Sequence, residues 1–558
     1  MDTRDAASML KLTGLLMELH QENEFKAKAL ANASFRLGKS NIQTEGLALK
    51  ELEAMEGMSK SIASKIHEIQ TTGTLQELHQ LLEKTPAGLV SMLKVKGLGP
   101  KKVGVIWRGL GIESLHELLY ACNENRLVSL DGFGLKTQEQ IREAIEFTLT
   151  NNGYYHYAAV LSAADAILKG IKQANPLLPC SFTGALRRQA ETLTHIEILL
   201  GVNEPQQYQL PAELFSETEN IQREGDCLML RSSSQVPVKI HLCTIENFTR
   251  VLFETTANTE HLQKIKYTTS ETVFTDEQHI YKNLGLAYIL PEMREGEHEL
   301  DFIQKHRNED IICARDLRGI LHNHSTYSDG LNTLREMAEA CKAQGMDYFS
   351  ICDHSQTAVY AGGLKPERVL EQQREIDALN AELAPFKIFK GIESDILSDG
   401  SLDYTDEVLA SFDMVVASIH SNLKMDEDKA TTRLLKAIEN PYTTILGHPT
   451  GRLLLARAGY PIDHKRIIDA CAANGVVIEL NAHPYRLDLD WRWIHYAQER
   501  GVLISINPDA HSINGLDMQF GLSAARKGGL LKTHCFNAFS LEQMNAYLQK
   551  KKSNISAS

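Results

Sequence analysis

Six short fragments in the C-terminal half constrain this chain most, because each carries histidine or carboxylate and they recur at the ends of apolar runs. They are LHNHSTYSDG (Leu321 to Gly330), ICDHS (Ile351 to Ser355), GIESD (Gly391 to Asp395), ASIHS (Ala417 to Ser421), GHP (Gly447 to Pro449) and NPDAHS (Asn507 to Ser512). The apolar runs Tyr348 to Cys352, Met414 to Ala417, Thr444 to Leu446, Val476 to Leu480 and Val502 to Ile506 alternate with helix-like segments. That alternation predicts buried parallel strands and a barrel-like α/β domain, in which chemistry gathers at the C-terminal strand ends. Nine side chains lie there: His322, His324, Asp329, His354, Glu393, His420, His448, Asp509 and His511. Neutral imidazole and carboxylate are ligands for Zn²⁺, Mn²⁺ and Fe. One ion takes about three or four protein ligands, so this set implies a cluster of two or three divalent ions. Side chains i and i+2 of a strand share a face. His322 and His324 can therefore share one ion, as can Asp509 and His511 if that segment stays extended.

The fragments HxH…D, DH, GIE, SIH, GHP and PDAH resemble those of the PHP (polymerase and histidinol phosphatase) family, a distorted (β/α)7 barrel with a trinuclear metal centre. The resemblance implies that His322, His324, Glu393 and Asp509 hold one ion and act in catalysis. It has Glu393 bridging to a second ion with His420 and His448, while Asp329, His354 and His511 hold the third. It also implies hydrolysis of phosphate esters. In LNAHPYRLDLDW (Leu480 to Trp491), His483, Arg486 and Asp488 fall in a loop beside the metal ends. Arg486 and Arg452 (in HPTGR) are candidates to pair with a substrate phosphate, for which arginine has the bidentate geometry; a structural role is the alternative. AGGL (Ala361 to Leu364) is placed to flank the substrate, and the C-terminal KKKSNISAS is expected to fray.

A length of 558 residues is ample for several domains. The net charge of −14 argues against wholesale coating of nucleic acid and leaves room for local basic patches. Nine cysteines without a CxxC pair point away from a disulfide framework or zinc finger. The opening MDTRDAASMLKLTGLLMELH reads as an amphipathic helix, and no apolar run reaches the ~18 residues of a membrane span. Cytoplasm, no membrane partner and a monomer are the expectations.

Residues 1–150 look all-helical, with Leu10, Leu12, Leu15, Leu16 and Leu19 at helical spacing. Three segments share one grammar: Met55 to Ile66, Val95 to Ile106 and Leu130 to Ile141. In each, a small-residue turn opens a helix that starts with lysine or polar residues. The turn residues are Gly57, then Gly97 and Gly99, then Gly132 and Gly134; the lysines are Lys60, Lys101, Lys102 and Lys136. Small residues let helix N-terminal N–H groups approach a phosphate, and lysine adds charge. The segments resemble helix-hairpin-helix motifs, which grip the DNA backbone without reading sequence. The first departs from the pattern, with Ser59 at the second glycine. By resemblance to the lyase domain of family X polymerases, Lys65 falls where some members place a Schiff-base lysine; a solvated helix lysine is the plain alternative.

Between Tyr154 and Glu295 the chain resembles the palm and thumb of family X DNA polymerases. FTGALRRQAETLTHIEILLGV (Phe182 to Val202) matches the nucleotide turn, with Gly184 and Arg188, and the strand after it. VPVKIHL (Val236 to Leu242) matches the strand of the third aspartate, and IYKNLGLAYILPEMRE (Ile280 to Glu295) the end of the thumb. With the PHP segment, the whole resembles bacterial PolX-type proteins. The expected domains are an 8-kDa-like helical domain (1–80), helix-hairpin-helix fingers (81–150), a degenerate palm (151–245), a thumb (246–295), a linker (296–316) and the PHP barrel (317–558). The palm departs sharply from its family. His195, Glu197 and His241 stand where three aspartates are expected, and Ala185 replaces the serine of the turn. Two-metal nucleotidyl transfer needs hard oxygen ligands for Mg²⁺, and imidazole is a poor one. The palm is therefore expected to hold no Mg²⁺ and to make no DNA; a site for a softer metal is the alternative reading.

These expectations combine into a DNA repair protein whose barrel is a metal-dependent 3′→5′ exonuclease or phosphoesterase at DNA 3′ ends. Removal of 3′-phosphates and cleavage at abasic sites are implied by resemblance alone. An active repair polymerase, a phosphatase of small phosphate esters and a non-catalytic DNA-binding module are the competing readings.

Overall fold

A computed structural model describes residues 3–39, 44, 46–55, 58–149, 153–210, 221–232, 236–269 and 273–557, divided between two units, 1–149 and 150–558. The first unit is helical. Helices Thr3–Leu19 and Glu24–Lys39 pack together and bury Leu10, Leu16, Leu19 and Leu30. Farther along, two turns are built alike. Leu98 donates its N–H to the Val95 carbonyl at 3.1 Å, and Phe133 donates to that of Leu130 at 3.1 Å. Gly97 and Gly132, inside these turns, have φ of +89° and +84°, a region that side chains with a Cβ avoid. Leu98 and Phe133 plug into the core, and each turn opens a helix, Pro100–Leu110 and Leu135–Leu149. Gly99 caps the former, and the Gly134 carbonyl accepts from Gln138 in the latter.

The first copy of this grammar differs. Gly57 lies outside the described residues, and Ser59 caps helix Lys60–Thr72 by accepting the Ile62 N–H at 3.3 Å. A side-chain hydroxyl thus takes one of the donors that a glycine turn leaves for a phosphate. Lys65 is not a solvated helix lysine: its ammonium pairs with Glu77, which also takes Lys26.

The second unit begins with β1 (Tyr155–His156), β2 (Cys180–Phe182), β3 (Thr192–Leu193), β4 (Ile196–Val202), β5 (Gln222–Glu224), β6 (Cys227–Arg231) and β7 (Pro237–Thr244). β1 and β3 pair antiparallel; the others form a mixed sheet in the order β2-β4-β7-β6-β5, with β4 and β7 parallel at its centre. Alternation assigns the faces. Ile196, Ile198, Leu200 and Val202 of β4 and Val238, Ile240 and Leu242 of β7 enter one core with Val160, Ala164 and Ile171 of helix Tyr157–Ala174. Glu197 and His241 therefore project from the opposite face.

Residues 296–316 depart from the expected solvated linker. Helix Glu299–Lys305 buries Phe302, which with Ile311 and Ile312 joins Phe253, Ile289 and Met293 before it and Ile320 and Leu530 of the barrel in one apolar core. The charged residues that suggested a linker are interleaved with these apolar anchors, and the anchors decide the outcome.

The barrel strands are β8 (Gly319–Ile320), β9 (Tyr348–Ile351), β10 (Lys387–Asp395), β11 (Met414–Ser418), β12 (Ile445–Leu446), β13 (Val477–Asn481) and β14 (Ile504–Asn507). Among the described residues these seven pair in sequential order, each parallel to its neighbour. Beyond the ends of β8 and β14, His324 donates its N–H to the Ala510 carbonyl at 2.8 Å, which brings the two edges together. The strands are buried on both faces, as their unbroken apolar runs require. The C-terminal segment does not fray as expected: helix Leu541–Ala557 docks with Tyr547 Oη donating to the Gly475 carbonyl at 3.0 Å and Lys552 paired with Asp413 at 2.9 Å. Among the described residues no helix is long and apolar enough to cross a membrane.

Candidate metal centre

The C-terminal ends of the barrel strands converge on Glu393, near the end of β10. Its Oε1 lies 3.1 Å from His448 Nε2, 3.2 Å from His420 Nε2 and 3.5 Å from His322 Nε2. Its Oε2 lies 3.0 Å from His354 Nδ1 and 3.7 Å from His324 Nε2. Five imidazoles from the barrel mouth thus meet one carboxylate that is 1% exposed. A second focus is Asp329, whose oxygens stand 3.3 Å from His511 Nε2, 3.5 Å from His354 Nε2 and 3.9 Å from His324 Nδ1. Asp509 completes the set, 2.9 Å from His324 Nε2 and 3.6 Å from His322 Nε2.

Three groups drawn entirely from the nine expected residues have ligand atoms that all fall within 4.8 Å of one another: His322, His324, Glu393 and Asp509; His324, Asp329, His354 and His511; and His354, Glu393 and His420. All nine expected residues are therefore brought together. The sharing differs from expectation in two ways, since His324 and His354 each belong to two groups, and His448 joins through Glu393 alone. Within these three groups, Asp509 and His511 fall in different ones. Their segment does not stay extended: β14 ends at Asn507, and Asp509 has φ of +53°. Asparagine and aspartate are among the non-glycine residues that tolerate that conformation best.

Buried atoms without a protein partner test whether ions fit. Among the described residues, His322 Nε2, His324 Nδ1, Asp329 Oδ2, His354 Nδ1 and Glu393 Oε2 are buried and make no hydrogen bond of acceptable geometry. Buried polar groups are almost always satisfied, and these point into the cluster. Three of the outer ring nitrogens have partners, whereas His448 Nδ1 is buried without one. His322 Nδ1 donates to Glu479 Oε2 at 2.7 Å, His420 Nδ1 to Asp395 Oδ1 at 2.5 Å and His511 Nδ1 to the Asp509 carbonyl at 3.0 Å. A proton fixed on Nδ1 leaves the Nε2 lone pair to face inward, the arrangement common to metal-binding histidines. The donor set of imidazole and carboxylate suits borderline divalent ions.

Electrostatics inside the cluster are those of densely packed acid–base pairs. Burial works against charge on every group. Even so, the surrounding histidines hold the carboxyls of Asp329, Glu393 and Asp509 well below the usual range. Burial notwithstanding, Asp329 and Glu393 push His354 up to about 10, and Glu393 and Asp395 push His420 up to about 9. His324 moves down, through burial and the neighbouring His511 and His354.

Supporting residues that escaped the sequence reading are Glu479, Asp395, Asn481, Asn507 and Asp353. Glu479 accepts from four donors: His322 Nδ1, Asn507 Nδ2, the His448 N–H and Asn481 Nδ2. Asp353 receives the N–H and hydroxyl of both Ser325 and Ser328, together with Gln372 Nε2, and so shapes the loop that carries Asp329. A carboxylate inside an otherwise apolar strand, as in VVIELN, was the available signal for Glu479.

The phosphate candidates fare differently. Arg452 is not an open clamp: its guanidinium is bound by Glu191 Oε1, Asp490 Oδ2 and the carbonyls of Arg486 and Leu487, at 2.5 to 3.0 Å. It ties the loop after His448 to the β1–β3 hairpin region. There His156 Nε2 also lies 2.9 Å from the Leu454 carbonyl, and its ring packs tilted against Tyr485 with centroids 4.2 Å apart. Arg486 is 7% exposed, so it too is buried rather than presented to solvent. Of the residues expected to grip DNA, Lys60, Lys101, Lys136, Gly97, Gly99, Gly132 and Gly134 are exposed, and Lys102 is half-buried with its ammonium 5.9 Å from the Phe133 ring centre.

On the palm-like sheet, Glu197 Oε1 lies 3.4 Å from His195 Nε2 and 3.5 Å from His241 Nε2, and Oε2 accepts the Ala185 N–H at 3.2 Å. Gly184 adopts φ of +58°, and a Cβ there would stand 1.7 Å from Glu197 Oε2; the carboxylate fills the space under the turn. Arg188 is committed to Glu295 at 3.1 Å and the Thr256 carbonyl at 2.7 Å, and Arg187 to Glu277 at 2.6 Å.

A parallel seven-stranded barrel that gathers histidines around a central glutamate at its C-terminal mouth is the architecture of a PHP-type barrel, and the PHP domain family matches residues 321–483. The SAM-like helix-hairpin-helix tandem family matches residues 90–146, which takes in the two equivalent turns and leaves out the first copy. The DNA polymerase/3′-5′ exonuclease PolX of Bacillus subtilis is 34% identical over 575 aligned positions, covering 99% of this chain and 100% of that protein. The chain belongs to the PolX family. Probable phosphatases of Caldanaerobacter subterraneus and Acetivibrio thermocellus are each 28% identical, and cover 35% and 34% of the chain and 77% and 78% of their own lengths.

Proposed function

We propose that this protein is a metal-dependent 3′→5′ exonuclease and phosphoesterase acting on DNA 3′ ends, with its chemistry in the barrel and a palm that no longer polymerises. The observation that carries the reading is the gathering of nine ligand side chains at the barrel mouth, with Glu393 and Asp329 as its two foci. His322, His324, Glu393 and Asp509 would hold one ion, Glu393 with His420 and His448 a second, and Asp329, His354 and His511 a third. Ions held there lower the pKa of bound water toward neutrality and polarise phosphoryl oxygens. The protein's own part is to fix geometry. Glu479 and Asp395 set the tautomers of His322 and His420, Asp353 holds the Asp329 loop, and Glu393 spaces the rings around it. The two equivalent glycine turns and their exposed lysines supply phosphate-backbone contacts without sequence preference, and the B. subtilis relative is itself described as a polymerase and 3′-5′ exonuclease.

The silent-palm reading rests on chemistry. Glu197 offers a single carboxylate between two imidazoles, and Arg187 and Arg188 are occupied by glutamates where a triphosphate would need them. A second reading, hydrolysis of small phosphate esters, is favoured by the probable phosphatases, which match 35% and 34% of the chain. Removal of 3′-phosphates and incision at abasic sites belong to the same proposal.

The test uses a 5′-labelled primer on a template, with Mn²⁺ and all four deoxynucleotides, comparing wild type with His324→Ala. Shortening by wild type and none by the variant supports the proposal. Extension of the primer overturns the silent palm. An intact primer together with release of phosphate from a small ester by wild type moves the activity to the second reading.

A further inference from the structure

The palm-like sheet carries a cluster that the barrel chemistry does not use. Three residues from two adjacent strands, His195 just before β4, Glu197 on β4 and His241 on β7, aim their inner atoms at one point. His195 Nε2 and His241 Nε2 lie 3.4 and 3.5 Å from the same oxygen, Glu197 Oε1. These separations are long for charge-assisted N–H···O bonds, which close to ~2.7–2.9 Å. Two of the three ligand separations thus match another geometry, and the third, between the two imidazoles, is wider. A tetrahedral Zn²⁺ with bonds of ~2.0–2.1 Å sets neighbouring ligand atoms ~3.3–3.4 Å apart.

The outer atoms of all three side chains are held from behind. Thr194 Oγ1 sits 2.7 Å from His195 Nδ1, Cys227 Sγ 3.5 Å from His241 Nδ1, and the Ala185 N–H donates to Glu197 Oε2 at 3.2 Å. A proton kept on each Nδ1 leaves both Nε2 lone pairs facing the shared oxygen, and such outer partners are the usual means of orienting metal ligands. Gly184 contributes as well, since any Cβ there would displace the Glu197 carboxylate. The site is tied to the sheet's interior but not sealed: the side chains of His241 and Glu197 are 16% and 15% exposed and that of His195 30%.

We propose that His195 Nε2, Glu197 Oε1 and His241 Nε2 form a binding site for one borderline divalent ion, Zn²⁺ being the best match, on the palm-like sheet and separate from the barrel cluster. The ligand set is two imidazoles and one carboxylate, three protein ligands with a fourth position left to solvent or an anionic oxygen. The same substitutions that remove the hard oxygen ligands of Mg²⁺ create a set that Mg²⁺ rejects and Zn²⁺ accepts. The trio is looser than the barrel groups, whose ligand atoms all lie within 4.8 Å of one another; His195, the most exposed of the three, is the member that moves inward on binding. The site does not depend on what the barrel hydrolyses.

Metal stoichiometry of the full chain tests this directly. Wild type, His241→Ala and His195→Gln are stripped with chelator, reloaded in Zn²⁺ at a fixed free concentration, and analysed by mass spectrometry of the metal. Circular dichroism verifies folding, and release of phosphate from a small ester reports the barrel. The expected result is one equivalent of zinc fewer in His241→Ala, with weaker binding of that equivalent in His195→Gln and unchanged hydrolysis in both. Zinc-edge anomalous diffraction from wild-type crystals should then place a peak between Glu197 and His241. Equal zinc content in wild type and both folded variants, or no anomalous peak on the sheet, overturns the proposal and leaves a hydrogen-bonded His–Glu–His triad.

Discussion

Glu479→Gln should damage the barrel centre although Glu479 touches none of the proposed ions. Its two oxygens serve four donors: Oε2 takes His322 Nδ1 at 2.7 Å and Asn507 Nδ2 at 2.9 Å, and Oε1 takes the His448 N–H at 3.1 Å and Asn481 Nδ2 at 3.2 Å. Glutamine has the same shape but only one accepting oxygen, so its NH₂ must face two donors. Neither asparagine can turn its oxygen inward to compensate. Asn507 Oδ1 already accepts from Ser505 at 2.8 Å, and Asn481 Oδ1 from the His483 N–H at 3.0 Å. Two buried donors lose their acceptor at about 1–3 kcal/mol each, so the barrel should lose about 2–6 kcal/mol. Where the NH₂ takes the Oε2 position the change also frees the His322 ring and tautomer, and where it takes the Oε1 position it frees the His448 backbone; outer partners of this kind are worth about 10–100-fold in metal affinity or activity. The assay pairs thermal unfolding with competition against a chromophoric chelator. A Glu479→Gln protein that melts with wild type and binds zinc as tightly would refute the reasoning, because it would show that acceptor count at this position does not orient His322.

Four further outcomes follow from the same structure. Chelation should abolish hydrolysis and lower the melting temperature of the barrel, since ions that bind only the folded state stabilise it by mass action; unchanged melting after verified metal removal would contradict this. Glu191→Ala should cost about 1–3 kcal/mol, because Arg452 keeps Asp490 and two carbonyls but is deprived of one charged partner; calorimetry measures it, with zinc content unchanged. Glu277 is pushed up by burial but drawn down to about 2 by Arg187 and Arg294, against an ordinary value of 4.5. Its depressed folded-state pKa contributes about 3 kcal/mol that is present above pH 4.5 and lost as pH falls toward 2. A Glu277→Gln protein should be less stable at neutral pH and lack that part of the acid dependence in unfolding experiments. Lys101→Ala and Lys136→Ala should each weaken DNA binding evenly across sequences and reduce the slope of log K against log salt by roughly 0.9 for each phosphate that the lysine neutralises; an unchanged slope in both would remove these lysines from the interface.

The sequence alone determined which residues form the barrel centre. The apolar runs define the strands, strand ends define the mouth, and imidazole and carboxylate at those ends define a metal-type donor set; all three are local properties. The helix-hairpin-helix turns were equally legible, because Gly97 and Gly132 are needed by backbone conformation rather than by distant partners. The single carboxylate Glu197 between His195 and His241 on the palm-like sheet was also a matter of residue identity. Tertiary structure decided everything that depends on pairing across long separations. Glu479 meets His322 from 157 residues away, and Arg452 meets Glu191 across 261. Neither pairing leaves a trace in periodicity. The same holds for Lys65, engaged by Glu77, and for residues 296–316, where Phe302, Ile311 and Ile312 find a core assembled from two other segments. Asp509 shows the boundary between the two kinds of information. Its identity announces a ligand, but the positive φ it adopts after β14 ends the extended segment that the sequence pattern suggested.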